Sequence, residues 1–195
     1  MRQLNTILFL LFFVLLSTQA QNVIEWDGKY QLQLSDFQSP ATQIGQGNIY
    51  SLQTVSFFDF SFYMTQFEFM AIKNFNSNVD CSFRRNAAAL VAPDTLIALD
   101  LLAFARYEFD LSELYARKFR KELFEKKKGF SSANFFRPIY DELSKEFTAK
   151  RTLDVQLTDI GRNRGVLSEL HDEVLQEIQM LADFCKNCNP KKKKR

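Results

Sequence analysis

The longest periodic stretch of the chain runs from Leu96 to Lys128, LIALDLLAFARYEFDLSELYARKFRKELFEKKK. Ile97, Leu101, Phe104, Leu111 and Tyr115 recur there at three- and four-residue spacing, which places them on one stripe of a helix. Asp94, after Pro93, supplies an N-cap, and Lys126–Lys128 followed by Gly129 supply a C-terminal stop. Glu108 falls on the same apolar stripe, where a carboxylate is out of place.

From Val23 to about Val91 the pattern is that of strands. Tyr30–Phe37 alternates, with Leu32 and Leu34 on one side and Gln31 and Gln33 on the other. Ser39–Asn48 reads as a loop; its Gly45-Gln46-Gly47 lacks the strand-then-helix setting of a phosphate-binding turn and is a plain turn. Phe58, Phe60, Phe62 and Met64 share one face. After Gln66 the phase flips to Phe67, Phe69 and Ala71, which predicts a bulge or a break between two strands. Asn74–Asn78 is a turn and Val79–Phe83 a further strand. Beyond the long helix, a second helix is expected from about Asn134 to Lys150, carrying Phe136, Ile139, Tyr140, Leu143 and Phe147. A polar connection over Thr152–Gly165 leads to a last helix from Val166 to about Phe184, with Leu167, Leu170, Val174, Ile178 and Leu181. Strands first and helices second predict an α+β fold: an N-terminal antiparallel sheet covered by about three C-terminal helices.

The termini change this picture by setting the domain bounds. Arg2, the uncharged apolar run Ile7–Leu16 and Thr18-Gln19-Ala20 read as an export signal over residues 1–20, too short to span a bilayer. Residues 21–185 then form a single domain and 186–195 a basic C-terminal tail. The formal charge of the whole chain is +2. Without Arg2 and the five cations of Lys191–Arg195, the remaining body carries a net charge of −4. Such a body does not offer the clustered cations of a nucleic-acid interface. A secreted or periplasmic protein is expected, with no stable membrane anchor and a protein or peptide of unknown identity as partner.

Export also bears on Cys81, Cys185 and Cys188, the candidates for a disulfide. Oxidising surroundings favour one bond and one leftover thiol. A bridge from Cys81 to Cys185 or Cys188, tying the tail to the sheet, is the preferred pairing; thiol–disulfide chemistry at Cys185-Lys-Asn-Cys188 is an alternative. No second cysteine pair completes a zinc site. The single histidine, His171, lies beside the stripe of the last helix as a boundary residue. No nucleophile turn of the Gly-x-Ser-x-Gly kind is present. Asp110 and Glu113 face water or pair with Arg106 or Arg117 at helical spacing. Glu108 either pairs with an arginine from another element (Arg84, Arg85, Arg162 or Arg164) or acts as a functional acid in an enzyme of unknown reaction.

Leu101-Leu102, Tyr107-Glu108-Phe109-Asp110-Leu111, Glu113, Ala116-Arg117 and Arg120 resemble the helix L-L-x-H-E-x-x-H-F-D-I-x-E-x-x-A-R-x-x-R of a family of bacterial secreted proteins. That family, long known as a domain of unknown function, is taken to consist of zinc-dependent proteases. Trp26 and Leu34-Ser35-Asp36-Phe37 are similar to its early Trp and L-x-W-x-D-F segment. Thr158-Asp159-Ile160-Gly161 is similar to its T-x-H-G segment. In this register the resemblance puts the first zinc histidine at Phe104, the catalytic glutamate at Ala105, the second histidine at Glu108 and the later histidine at Ile160. Two histidines one turn apart would hold a metal whose water the glutamate polarises; Phe104 and Ala105 can do neither. The resemblance therefore implies a metalloprotease-like scaffold with its zinc site replaced. The expectation is an inactive homologue, a binding or structural module with no catalytic residues, no metal ligands and no cofactor.

Overall fold

The computed structural model describes residues 22–61, 63–132 and 134–190. The expected export signal, Phe62 of the alternating run and the basic run 191–195 lie outside the described residues. Six short strands occupy the N-terminal half: β1 (Val23–Glu25), β2 (Gln43–Ile44), β3 (Ser51–Gln53), β4 (Ser56–Phe60), β5 (Val79–Arg84) and β6 (Ala89–Ala92). They form two three-stranded sheets. The first, in the order β1-β5-β4, is antiparallel throughout, with Ile24 opposite Phe83 and Phe58 opposite Cys81. In the second, β2-β6-β3, β3 is antiparallel to β6 but β2 runs parallel to it. The helices are α1 (Gln66–Ala71), α2 (Thr95–Lys126), α3 (Arg137–Thr158) and α4 (Arg164–Met180). The α+β reading, strands first and three longer helices after, describes this architecture.

Helix α2 is the axis of the molecule, about 48 Å long at 1.5 Å per residue. Asp94 caps it, its carboxylate accepting from the Ile97 N–H at 2.8 Å. The single apolar stripe read from the sequence understates its burial. Tyr107, Leu114 and Phe119 are as fully enclosed as Phe104, Leu111 and Leu101. The sheets pack on one side of α2, and α3 and α4 on another. Where β4, α2 and α3 meet, the Phe58 ring lies 5.4 Å from Tyr140, 6.0 Å from Phe119 and 6.2 Å from Phe147. Edge-on rings at these separations add specific attraction to the area they bury.

A buried ion cluster fixes how these layers meet. Glu113 Oε1 accepts from Arg117 Nε and Arg120 Nη1, both at 2.9 Å. Arg120 also donates to the Val79 carbonyl of β5 at 2.8 Å and to the Phe184 carbonyl at 3.2 Å. Arg117 donates to the Ile178 carbonyl near the end of α4 at 2.9 Å. Glu113 thus pairs with Arg117, as its spacing suggests, but in the core rather than at the surface.

Four local expectations differ from the structure. Ser39–Asn48 is not all loop, since Gln43–Ile44 forms β2 along β6. Tyr30–Phe37 is not a strand: Asp27 accepts from the Lys29 and Tyr30 N–H groups, and a 3-10 turn follows at Leu34–Asp36. Leu32 is buried as the alternation implied, but its carbonyl accepts from Arg106 Nε at 2.8 Å rather than from a neighbouring strand. The phase change at Gln66 marks α1 and not a bulge. Thr65 and Glu68 close a capping box there, each satisfying the other's backbone N–H. Helix α3 continues through Arg151 to Thr158, so the connection to α4 is only the tight turn at 159–163.

That turn runs through three left-handed residues, Asp159 (φ 48°), Ile160 (φ 53°) and Gly161 (φ 94°). A β-branched residue rarely adopts this region, so Ile160 is held there by its packing. Gly161 is required by space as well: a Cβ at this position would lie 2.3 Å from the Asp100 carbonyl oxygen and 3.1 Å from Phe104 Cβ. Gly161→Ala is expected to destabilise the fold by about 3 kcal/mol, measurable as a lower urea midpoint with unchanged slope.

Candidate functional site

Around the middle turns of α2, every acidic side chain has a partner from another element or from the next turns. Asp100 accepts from Arg164 Nε at 2.6 Å. Glu108 Oε1 accepts from Arg151 Nε of α3 at 2.8 Å and from Thr54 Oγ1, between β3 and β4, at 2.6 Å. Asp110 Oδ1 accepts from Trp26 Nε1 at 2.6 Å, and its Oδ2 lies 2.7 Å from His171 Nε2 of α4. Glu113 is held by Arg117 and Arg120 as described above.

The three positions singled out on the helix lie in closed core. Phe104 and Ala105 have no exposed surface and Glu108 is 2 % exposed. The Phe104 ring packs 5.6 Å from Tyr107, whose own ring meets His171 edge-on at 5.8 Å. The Tyr107 hydroxyl donates to the buried Asp154. Burial, reinforced by that bond, pushes the Tyr107 phenol well above its ordinary range, so it stays a neutral donor. No groove opens at these positions: Tyr107 and the 159–163 turn pack on Phe104, and Thr54 and Arg151 close over Glu108.

None of the four arginines proposed for Glu108 reaches it. Arg84 stacks over Phe57, Arg85 pairs with Asp36, Arg162 with Asp159 and Arg164 with Asp100. Arg151 does, because α3 is longer than its apolar pattern suggested. The usable signal was the four-residue step Leu143, Phe147, Arg151, which keeps Arg151 on the face that meets α2. Asp110 faces neither water alone nor Arg106. It joins Trp26 and His171 at one wall of a cleft of about 280 Å³, lined also by Tyr30, Leu32 and Arg106.

The cysteines also pair differently from the preferred reading. Cys185 is bonded to Cys188, and Cys81 remains a free thiol. Cys81 sits under the Phe109 carbonyl in the core of the first sheet, out of reach of either. Burial, with Glu113 nearby, pushes its thiol far above the usual range, so it is unreactive. Cys188 Sγ lies 3.3 Å from the Ala182 carbonyl oxygen. Asn76 Nδ2 donates to the carbonyls of Cys185 and Cys188 at 3.1 Å, clamping the loop to the start of β5. Among the described residues no group of three or more His, Cys, Asp or Glu side chains is arranged to hold a metal. No helix of the described residues is long and apolar enough to cross a membrane.

Comparison of the chain with models of known protein families, with curated proteins and with solved structures finds no match.

Thiol counting under denaturing, non-reducing conditions is expected to find one reactive thiol per chain, and none in the native protein. Replacing both Cys185 and Cys188 by serine should lower stability by only about 2 kcal/mol, the loop-closure effect of a four-residue ring. A bond between Cys81 and Cys185 would appear instead as no free thiol after Cys188→Ser, and one between Cys81 and Cys188 as no free thiol after Cys185→Ser, where the Cys185–Cys188 bond leaves two in each variant.

Proposed function

We propose that this is an exported, non-catalytic protein of metalloprotease-like fold, a binding or structural module in which the helix that would carry a zinc site serves as core. The observation that carries the reading is the state of the middle of α2. An apolar ring, a methyl group and an ion-paired carboxylate occupy Phe104, Ala105 and Glu108, all enclosed. A general base or a metal ligand must be reachable by water and substrate; none of these is.

Two further contacts support the scaffold part of the reading. The segments that carry the resemblance meet on α2 although they are distant in the chain. Trp26 donates to Asp110, the acid of the Phe-Asp pair. The Thr158–Gly161 turn lies directly against Asp100 and Phe104. Ile160, where the family has its later histidine, packs at the core's edge in that same turn. Residues shared with the family pattern, Trp26, Asp110, Glu113, Arg117 and Arg120, are those that build buried polar contacts. The open surface nearest to them is the cleft at Asp110 and His171, where a peptide or protein segment of the partner would lie.

An enzyme using Glu108 is disfavoured by the same burial, and a thiol–disulfide role by the Asn76 amide that clamps the Cys185–Cys188 loop to the fold. Protein purified without chelators is expected to hold no stoichiometric zinc by elemental analysis and to cleave no unstructured protein substrate. Stoichiometric zinc would overturn the proposal. Glu108→Gln is expected to cost only about 1 kcal/mol, since Arg151 is partly exposed and can reach water. The triple variant Phe104→His, Glu108→His, Ile160→His is expected to bind one zinc or cobalt ion, by elemental analysis or cobalt absorption, while the single variants do not.

A further inference from the structure

Leu96, Leu99, Ala103, Arg106 and Asp110 follow one another at three- and four-residue steps along α2 and so share a face. Arg164, Leu167, His171 and Leu175 do the same along α4. Between these faces lie two clefts, of about 280 and 550 Å³, with Gln31, Arg106 and His171 common to both. The first has Trp26, Tyr30 and Leu175 on its walls, the second Leu96, Leu99 and Leu167. Leu96 is 59 % exposed and Leu99 49 %, on a helix that is otherwise deeply buried.

Charge decides what such a surface takes. Asp100 is matched by Arg164 and Asp110 by His171. Arg106 is half-buried, and among the described residues no carboxylate pairs with it. Its Nε donates to the Leu32 carbonyl at 2.8 Å, which anchors the side chain and leaves Nη1 and Nη2 unused. An anchored guanidinium with both terminal nitrogens unused is the fork that takes a carboxylate through two parallel hydrogen bonds. His171 adds a second polar point. An ionised carboxylate only accepts, so the ring donates from Nε2 to Asp110, whose other oxygen is held by Trp26 at 2.6 Å. In the neutral ring Nδ1 is then an acceptor, and among the described residues no group bonds to it.

We infer that this double cleft binds an extended peptide segment through one acidic side chain. An aspartate or glutamate of the peptide sits on Arg106, and a backbone N–H meets His171 Nδ1. Apolar side chains of the peptide lie against Leu96 and Leu99 to one side and against Tyr30 and Leu175 to the other. Clefts open on both sides of Arg106, so the peptide runs past it, which favours an internal side chain over a terminal carboxylate. One unmatched cation beside Asp110 suits a carboxylate better than a doubly charged phosphate. Leu99 lies two turns from Arg106 and Leu175 one turn from His171, about 10 and 6 Å, which an extended chain covers in two or three residues. The inference rests on the reading of this cleft as the partner's binding surface, and adds the chemistry of the partner.

The probe is a phage-displayed library of random peptides about twelve residues long, selected on the immobilised protein. Enriched sequences are expected to share one Asp or Glu, with an apolar residue two or three positions to each side. Changing that acid to its amide in a synthetic peptide should weaken binding at least about tenfold by fluorescence anisotropy. The same change should have no further effect on Arg106→Gln, since the pair is already broken. The peptide change leaves the protein untouched, so the test stands even where Arg106→Gln disturbs the Leu32 contact. Leu99→Glu, at an exposed position, should weaken every enriched peptide, with circular dichroism as the check on folding. Enriched peptides that bind equally well as amides, or that Leu99→Glu leaves unaffected, overturn the inference and leave the binding-module reading standing. No enrichment of any peptide overturns the inference as well. Failure of the underlying reading shows separately, as stoichiometric zinc or peptidase activity.

Discussion

One carboxylate holds the layers of this protein in register. Glu113, in the middle of the long helix, is 2 % exposed and shared by Arg117 and Arg120, themselves buried. Each guanidinium has donors left over, and all but the buried Arg120 Nε reach carbonyls of β5, of the end of α4 and of the 3-10 turn at 182–184. Removing three charges from water is costly, and such a group persists only when nearly every donor and acceptor is satisfied. The geometry that satisfies them is possible in one arrangement of helix, sheet and C-terminal segment. The cluster therefore specifies the fold's packing more than it adds to its net stability.

The same logic runs along the whole of α2. Its acids do not form a reactive pair; they are distributed, each to a different neighbour, Arg164 at Asp100, Arg151 at Glu108, Trp26 and His171 at Asp110. Between them the helix carries Phe104, Ala105, Tyr107 and Leu111 into the core. A catalytic helix of similar pattern would leave one face open to substrate and metal. Here the 159–163 turn closes that face, with Gly161 in contact with the helix backbone at Asp100.

What was legible beforehand follows the range of the interaction that encodes it. The cap at Asp94, the apolar stripe from Leu101 to Tyr115 and the turn at Asn74–Asn78 depend on neighbours a few residues away. They were read correctly, and the Thr65-x-x-Glu68 box could have been, since its signature is local too. Tyr30–Phe37 had strand alternation and buried the right residues, yet no strand lies beside it to complete a ladder. Its carbonyl at Leu32 is satisfied by Arg106, 74 residues away in the chain. α3 outran its expected end because Arg151 and Asp154 looked like the start of a polar connection, when each is on a helical face that meets α2.

By itself the sequence determined the order of strands and helices, the long central helix with its cap, and the absence of a histidine set for zinc, because these rest on residue identity and short-range spacing. Only the tertiary structure decided who pairs with whom. Arg151 reaches Glu108 across 43 residues because α3 lies along α2. Cys81 is sealed under Phe109, which leaves Cys185 and Cys188 to bond each other. The burial of Glu108 follows from layers packing on more than one side of one helix, a property of the assembled core that spacing along a single element does not contain.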